Sequence, residues 1–320
     1  MFKIIITDTV DDNIIEQEKQ KDSYLHKILK GYEVVKLNAE QTEALKANPV
    51  KVLDNPSALY ILDITEAEAN SIQQDYGVMC LSSQNPNVEK LIDVNDTFVS
   101  NRKHALFKGW DTVLDSVENL PSNAQIIADR YLFRFKDPNK GDGFENVQAI
   151  LEQLLPQQFK GKEYHVLILF NKEYKKNEKP VYTFSEIIKG LEIVRQQINR
   201  DYTVKMEVLG FNTDTTIHDK LHNRVIISNY YIVEAAHKIA AFNKNIATTR
   251  QTIIPLALFT ESSLAGYSSA PLRAIKQNIK ALQDFSLYVS KQNPEFDQYL
   301  YALNGERQPR CTRIKNRLLK

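Results

Sequence analysis

The stretch Tyr164–Phe170, with the sequence YHVLILF, is the strongest indicator of fold class in this chain. A continuous apolar run of this kind is typical of a central strand that is buried on both faces. Phe144–Leu155, which precedes it, carries apolar residues at the spacing of one helix face. Phe184–Ile198 is a second amphipathic helix, and Thr203–Phe211 is the next strand. The alternation predicts an α/β fold with parallel pairing and right-handed crossovers.

Further apolar runs extend this unit in both directions. Gln125–Phe135, QIIADRYLFRF, is rich in β-branched and aromatic residues and predicts a strand before the first helix. Val225–Ser228 and Thr252–Phe259 predict two strands after Phe211. Ala270–Lys291 predicts a long helix with a proline in its first turn, where proline is tolerated.

The first 120 residues predict a separate N-terminal α/β unit. A chain of 320 residues exceeds what one hydrophobic core usually serves, and the proline and small polar residues at 120–123 are typical of a boundary. We therefore predict two domains, 1–120 and 121–320, the second ending in a basic C-terminal tail. The predicted strands of the first are Lys3–Ile6, Tyr32–Leu37, Ala58–Leu62 and Gly77–Leu81, and its predicted helices are Ile15–Lys30, Glu40–Ala47, Glu66–Asp75 and Arg102–Val117.

Composition excludes several classes of protein. Hydrophobic residues make up 42% and charged residues 25% of the chain, which is ordinary for a globular protein and does not favour disorder. No apolar run approaches the roughly 20 residues of a membrane-spanning helix, and the short run before Asp8 does not fit a signal peptide. Cys80 and Cys311 lie far apart, which favours a reducing, cytoplasmic location and gives no zinc motif.

Charge is balanced overall but not along the chain. The formal net charge is +1, whereas the last fifteen residues, ERQPRCTRIKNRLLK, hold six basic side chains and one acidic one. Such a segment can contact phosphate backbones, and a solvated terminus fits the same composition. No phosphate-binding loop of the P-loop or dinucleotide type is present.

Histidines cluster after the third strand of the second unit. Three of the six, His218, His222 and His237, fall within twenty residues. Sites in open α/β sheets gather at the carboxyl ends of strands. A group of His, Lys and Arg side chains at such an edge can hold an oxyanion and supply a nucleophile or a proton shuttle. Cleavage of a phosphodiester requires the same groups: an oxyanion-binding cation, a nucleophile and a proton donor.

The spacing His222-x-Arg224-x₄-Asn229 resembles the H-x-K-x₄-D signature of the phospholipase D superfamily. In that family the His attacks phosphorus, the Lys binds phosphate oxygens and the acidic residue supports the site. The likeness covers about residues 124–250 and implies a mixed sheet flanked by helices. It extends to stand-alone bacterial proteins with an H-D-R variant, followed by an asparagine and a His-containing turn, here Ala236-His237. Chains with one motif copy pair two subunits across one active site, so the likeness implies a homodimer with no metal or cofactor.

Three positions depart from the family pattern. Arg224 replaces Lys, keeps the charge and binds phosphate well. Asn229 replaces the acid and cannot act as a base. Ala236-His237 stands where Gly-Ser usually follows. We predict His222, Arg224 and Asn229 as the catalytic set, but whether the chain is an enzyme is left open by these departures.

Five further residues are candidate substrate-binding groups. His218 and Lys220 lie close to the motif, although a second register starting at His218 fails because Val225 stands at its acidic position. His218 also fits a turn, and His237 also fits a half-buried helix. Asp129-Arg130 is a charged pair in an apolar strand, costly to bury unless paired. It fits a buried ion pair, a sheet edge or the lining of the same pocket.

Three functions follow from these residues. The first is a phospholipase-D-like phosphodiesterase, acting on nucleic acid rather than lipid, with His222 as nucleophile or general acid and Arg224 binding phosphate. The second is an inactive relative that serves as a binding or scaffold subunit of a larger bacterial assembly, such as a defence complex, with the N-terminal unit meeting a protein partner. The third is a metal-dependent hydrolase, for which His218 and His222 lack an obvious third ligand.

Overall fold

The N-terminal part of the chain forms a four-stranded parallel sheet in the order β2-β1-β3-β4. The computed structural model describes residues 3–8, 33–86, 120–134, 142–171, 181–211, 224–235, 239, 251–255, 300–303 and 314–319. The predicted helices Ile15–Lys30, Arg102–Val117 and Ala270–Lys291 lie outside these ranges. The strands are β1 (Lys3–Thr7), β2 (Glu33–Leu37), β3 (Leu59–Leu62) and β4 (Met79–Ser82).

Two helices and a 3-10 turn connect these strands. They are α1 (Ala39–Ala47), α2 (Glu66–Tyr76) and the 3-10 helix Pro49–Asp54. Reciprocal hydrogen bonds between Thr65 and Glu68 begin α2, as the sequence predicts. Gly77 ends α2 with a φ of 59°, in the left-handed region that favours glycine. β3 and β4 are fully buried, which places the centre of this core between the helices and the sheet.

The second sheet has seven strands in the order β10-β9-β8-β5-β6-β7-β11. α3 and α4 cross over between its three parallel strands β5, β6 and β7 and pack on the sheet to form the larger core. The elements are β5 (Ala124–Ala128), α3 (Gly143–Leu154), β6 (Glu163–Asn171), α4 (Phe184–Gln197), β7 (Thr203–Phe211), β8 (Arg224–Ser228), β9 (Tyr231–Ala235), β10 (Gln251–Pro255) and β11 (Leu300–Leu303). The α/β class is therefore as predicted.

The alternation of strands and helices predicts parallel pairing, which is confirmed for β5, β6 and β7 but is wrong for β8. β8 lies antiparallel to β5, and β9, β10 and β11 also pair antiparallel. The alternation rule holds only where a helix carries the chain back across the sheet. The sequence predicts no such helix between Phe211 and Val225, so nothing required β8 to run parallel.

The predicted strand Gln125–Phe135 is too long. β5 stops at Ala128, because the Asp129 carboxylate accepts a hydrogen bond from the Tyr131 backbone N–H at 2.8 Å and turns the chain. A backbone hydrogen bond from Leu132 to the Asp129 carbonyl, at 3.0 Å, closes the turn. The correction places Asp129 and Arg130 at the carboxyl end of β5 rather than within a strand.

Among the described residues, no helix is long and apolar enough to cross a membrane. Cys80 is a buried free thiol whose pKa is raised to about 12 by burial, so it is chemically inert in this fold. Cys311 lies outside the described residues.

Candidate phosphate-binding site and the opposite end of β8

The motif residues that the structure describes lie at opposite ends of one strand. Arg224 begins β8, and Asn229 follows its last residue. Five residue steps in a strand span roughly 16 Å, so the two side chains cannot share one small site. His218, Lys220, His222 and His237 lie outside the described residues.

The Arg224 end of β8 meets the carboxyl end of β5. Ala128 pairs with Val225 across the antiparallel ladder, which brings Asp129 beside Arg224. The Arg224 Nε lies 3.6 Å from the Asp129 Oδ1. The Asp129 side chain is fully buried and also accepts from the Ile239 backbone N–H through Oδ2, at 3.2 Å. Asp129 is therefore held in place from three sides.

Three guanidinium groups gather around the Tyr131 ring. Their central carbons lie 4.6 Å (Arg130), 5.1 Å (Arg134) and 5.1 Å (Arg224) from the ring centroid. All three side chains are half-buried. The negative face of the ring attracts the cations and offsets part of their mutual repulsion. We call Asp129, Arg130, Tyr131, Arg134 and Arg224 the arginine cluster.

The arginine cluster has the chemistry of an oxyanion site. A guanidinium presents a rigid fork of donors that matches two phosphate oxygens, and partial burial strengthens the attraction to an anion. Asp129, Arg130 and Arg224 are among the residues predicted from the sequence, and the structure brings all three together. Tyr131 and Arg134 were not predicted. In the predicted strand Tyr131 would lie on the face opposite Arg130 and Arg134, so there was no reason to expect arginines around this ring. Asp129 was the sequence signal for a turn, because an Asp side chain often accepts a hydrogen bond from the backbone N–H two residues later.

Asn229, at the other end of β8, is buried and hydrogen-bonded through both side-chain atoms. Its Oδ1 accepts from the backbone N–H groups of Asn123 and Ala124, both at 3.0 Å. Its Nδ2 donates to the Pro56 carbonyl at 2.9 Å and to the Asn123 Oδ1 at 3.0 Å. Only 2% of the residue is exposed. Asn229 also lies in the bend between β8 and β9.

Neighbouring groups continue this contact between the two sheets. The Asn123 Nδ2 donates to the carbonyls of Pro56 and Gly77, each at 2.9 Å. The buried Tyr230 hydroxyl donates to the Ala58 carbonyl at 2.8 Å and accepts from the Met79 N–H at 2.9 Å. We call Pro56, Gly77, Asn123, Asn229 and Tyr230 the inter-sheet seam. No local sequence pattern predicts it, since its members are far apart along the chain.

Part of the basic C-terminal segment is packed against the second sheet. The Lys315 N–H donates to the Glu207 Oε1 at 2.5 Å, the Asn316 Nδ2 to the Gln125 carbonyl at 3.0 Å, and the Arg317 Nη1 to the Asn123 carbonyl at 3.0 Å. Asn316 is fully buried. The reading of this segment as a solvated terminus is therefore wrong for residues 314–319, because backbone and side-chain hydrogen bonds dock it.

Two titratable groups beneath this segment are buried. Burial raises the pKa of Glu207 to about 7, although the Lys315 N–H lowers it in part. Burial, together with the positive charge of Arg317, lowers the pKa of His165 to about 4, so this histidine is neutral at pH 7. The described residues contain no group of three His, Cys, Asp or Glu side chains that could hold a metal ion.

Comparison with known proteins adds little. No family model matches the chain, and no curated protein matches it. A structure search gives a weak similarity to the crystal structure of A. aeolicus Argonaute, at 10% identity and a TM-score of 0.17. That alignment covers 84% of this chain and 44% of the Argonaute chain, so this chain spans less than half of that protein. At this TM-score the likeness supports no argument about fold or function.

Proposed function

We propose that the protein is a phospholipase-D-like phosphodiesterase that acts on nucleic acid, with phosphate bound at the arginine cluster. The observation that carries the proposal is the convergence of Arg130, Arg134 and Arg224 on the Tyr131 ring, with Arg224 fixed beside the buried Asp129. Arg224 is the residue that the motif likeness assigns to phosphate binding. His222 stands two positions before it in the sequence and would act as nucleophile or general acid.

The order of elements supports this proposal. The likeness implies a strand, helix, strand, helix and strand ahead of the motif, with a further strand carrying it. The chain has β5, α3, β6, α4 and β7 in that order, and β8 begins at Arg224. The sheet is mixed and flanked by helices, which is the arrangement that the likeness implies.

Nucleic acid is the substrate class that the charges favour. A phosphodiester backbone presents repeated anions, and three guanidiniums around one ring can contact more than one of them. Arginine also stacks on bases, as it does on Tyr131. The family likeness further implies that two subunits pair across one active site, and we include this homodimer in the proposal.

The test is cleavage of labelled single- and double-stranded DNA and RNA in EDTA. Wild type should cut at least one substrate without metal, and His222→Ala should abolish cutting while leaving the circular dichroism spectrum unchanged. Arg195→Gln is a matched control, because Arg195 pairs with Glu192 on α4 and belongs to neither end of β8. Cleavage that survives His222→Ala, or that disappears in EDTA, would contradict the proposal.

A second candidate is a catalytically inactive subunit that binds rather than cuts. The position of Asn229 favours it: the residue that stands where the family has its acid is buried in the inter-sheet seam and bonded through both side-chain atoms. In this case nucleic acid would still bind at the arginine cluster, and a protein partner would meet the N-terminal unit. A folded wild-type protein that binds single strands without cutting them would favour this candidate over the first.

A further inference from the structure

A cavity of about 420 Å³ lies against the inter-sheet seam, on the side of the first sheet where β1 begins. Its walls come from both units. The first unit contributes Lys3 and the residues from Leu53 to Ala58, and the docked C-terminal segment contributes Arg317 and Leu318. A volume of this size accommodates a small metabolite. The walls carry two cations, Lys3 and Arg317, and one carboxylate, Asp54.

Arg317 is the charged group whose environment points to a ligand. It is half-buried, and its Nη1 hydrogen bond to the Asn123 carbonyl uses one guanidinium nitrogen. Its guanidinium carbon also lies 5.7 Å from the centroid of the Phe159 ring. Among the described residues it forms no ion pair within 4 Å. Burial lowers the pKa of Arg317, which means that its positive charge is poorly hydrated where it sits.

The nearby carboxylates are mostly engaged elsewhere. Glu163 raises the pKa of Arg317 at longer range, but its carboxylate lies 3.5 Å from the Lys205 ammonium. The Glu33 carboxylate lies 3.6 Å from the Lys3 ammonium in an exposed pair. Asp54 is exposed at the cavity wall. A guanidinium that is partly dehydrated and lacks a carboxylate partner is stabilised by an oxyanion whose two oxygens accept two parallel hydrogen bonds.

We propose that this cavity binds a small molecule through an oxyanion group, either a phosphate or a carboxylate, held by Arg317 with Lys3 opposite. The site is distinct from the arginine cluster. Arg317 bonds at Asn123, just before β5, whereas Asp129 follows the end of β5, so the strand separates them by roughly 20 Å. Because its walls come from both units, a bound anion stabilises the contact between them.

The test measures anion binding to the full chain by calorimetry and by thermal shift. All titrations use an Arg224→Gln background, which removes the main phosphate contact proposed at the arginine cluster and leaves the cavity intact. Inorganic phosphate and acetate are the two probes, and they distinguish a phosphate ester from a carboxylate ligand. Saturable binding of either one, with a rise in melting temperature, supports the site. No saturable binding of either probe overturns it.

Substitutions of charged residues in the cavity wall test the site more specifically, because each should change the anion affinity in a stated direction. Lys3→Gln should weaken binding of the anion and Asp54→Asn should strengthen it, each by up to about fivefold, since Asp54 is exposed, Lys3 is only partly buried and solvent screens both charges. Arg317→Gln should abolish binding, but it also removes the hydrogen bond to Asn123. The Lys3→Gln and Asp54→Asn variants therefore test the site if Arg317→Gln fails to fold. Within the Arg224→Gln background, equal anion affinity with and without Lys3→Gln or Asp54→Asn would contradict the proposal. Activity at the arginine cluster plays no part in these outcomes.

Discussion

The two ends of β8 have opposite characters, although one short motif spans them. At the Arg224 end, charged side chains are half-buried and gather around an aromatic ring. At the Asn229 end, a neutral side chain is buried and every atom that can hydrogen-bond does so. The same short motif thus contains Arg224, which is suited to bind an anion, and Asn229, which holds the two sheets together. These hydrogen bonds give Asn229 a structural role.

The largest expected effect is on stability at the Asn229 end. Asn229→Ala leaves the backbone N–H groups of Asn123 and Ala124 buried without their acceptor, and it should lower the free energy of unfolding by about 4 kcal/mol. Chemical denaturation measures this loss. The exposed Asn199→Ala is the control and should change stability by less than about 0.5 kcal/mol.

Asn229→Asp sharpens this prediction because it introduces the acid found in the phospholipase D signature that the sequence resembles. The carboxylate can still accept from the two backbone N–H groups, but it places an oxygen against the carbonyl of Pro56 and the Oδ1 of Asn123. We expect Asn229→Asp to destabilise the protein and not to increase cleavage. A stable and more active Asn229→Asp variant would show that the residue belongs to the chemistry.

The next effect is on chemistry at the Arg224 end. Arg224→Gln removes a charge that would stabilise the phosphate in the transition state, and the cleavage rate should fall by about 10²- to 10³-fold. Arg224→Lys retains the charge without the planar fork and should recover part of this loss. Single-turnover kinetics with excess enzyme measures both variants. Equal cleavage rates for wild type and Arg224→Gln would show that Arg224 does not bind the reacting phosphate.

A pH-dependent effect of moderate size is expected at the docked C-terminal segment, near the seam. The folded-state pKa of Glu207 is raised from 4.5 to about 7, so Glu207 supports stability below pH 4.5 and this contribution is lost as the pH rises to about 7. Glu207→Gln cannot ionise. The difference in free energy of unfolding, Glu207→Gln minus wild type, should therefore rise by about 2 kcal/mol between pH 5 and pH 8, because only wild type loses this contribution. His165 titrates in both proteins and cancels in the difference. Chemical denaturation of wild type and Glu207→Gln at pH 5 and at pH 8 measures this difference.

The smallest effect concerns the ring that organises the arginine cluster. Tyr131→Leu removes the negative face that offsets repulsion among the three guanidiniums, and it should weaken single-strand binding by about fivefold. Tyr131→Phe keeps the ring and should bind like wild type. Fluorescence anisotropy measures both. A loss in Tyr131→Phe equal to that in Tyr131→Leu would point to the hydroxyl instead of the ring.

The sequence was sufficient to predict the elements that depend on local patterns. β6 and the helices α3 and α4 follow from apolar periodicity, and the start of α2 follows from the Thr65 and Glu68 pair. The strand at Val225–Ser228 was also predicted, and the structure extends it to Arg224. These features need only neighbours within a few positions along the chain.

The features that the sequence could not predict depend on long-range contacts. The Tyr131 ring meets Arg224 only because β5 and β8 pair antiparallel, and Asn229 meets Pro56 across 173 positions. The end of β5 at Ala128 was missed because strand propensity in Tyr131–Phe135 competes with a single Asp129 hydrogen bond. The docked segment at Lys315 likewise depends on a buried glutamate over one hundred positions earlier.

The most direct test of the account is the salt dependence of single-stranded DNA binding by wild type and Arg224→Gln. If phosphate binds at the arginine cluster, Arg224→Gln should weaken binding and lower the slope of log affinity against log salt by about 0.7, the value for one phosphate contact on a single strand. This holds whether or not the site cuts its ligand. An affinity and a slope that are the same in both proteins would contradict the placement of phosphate at the Arg224 end of β8.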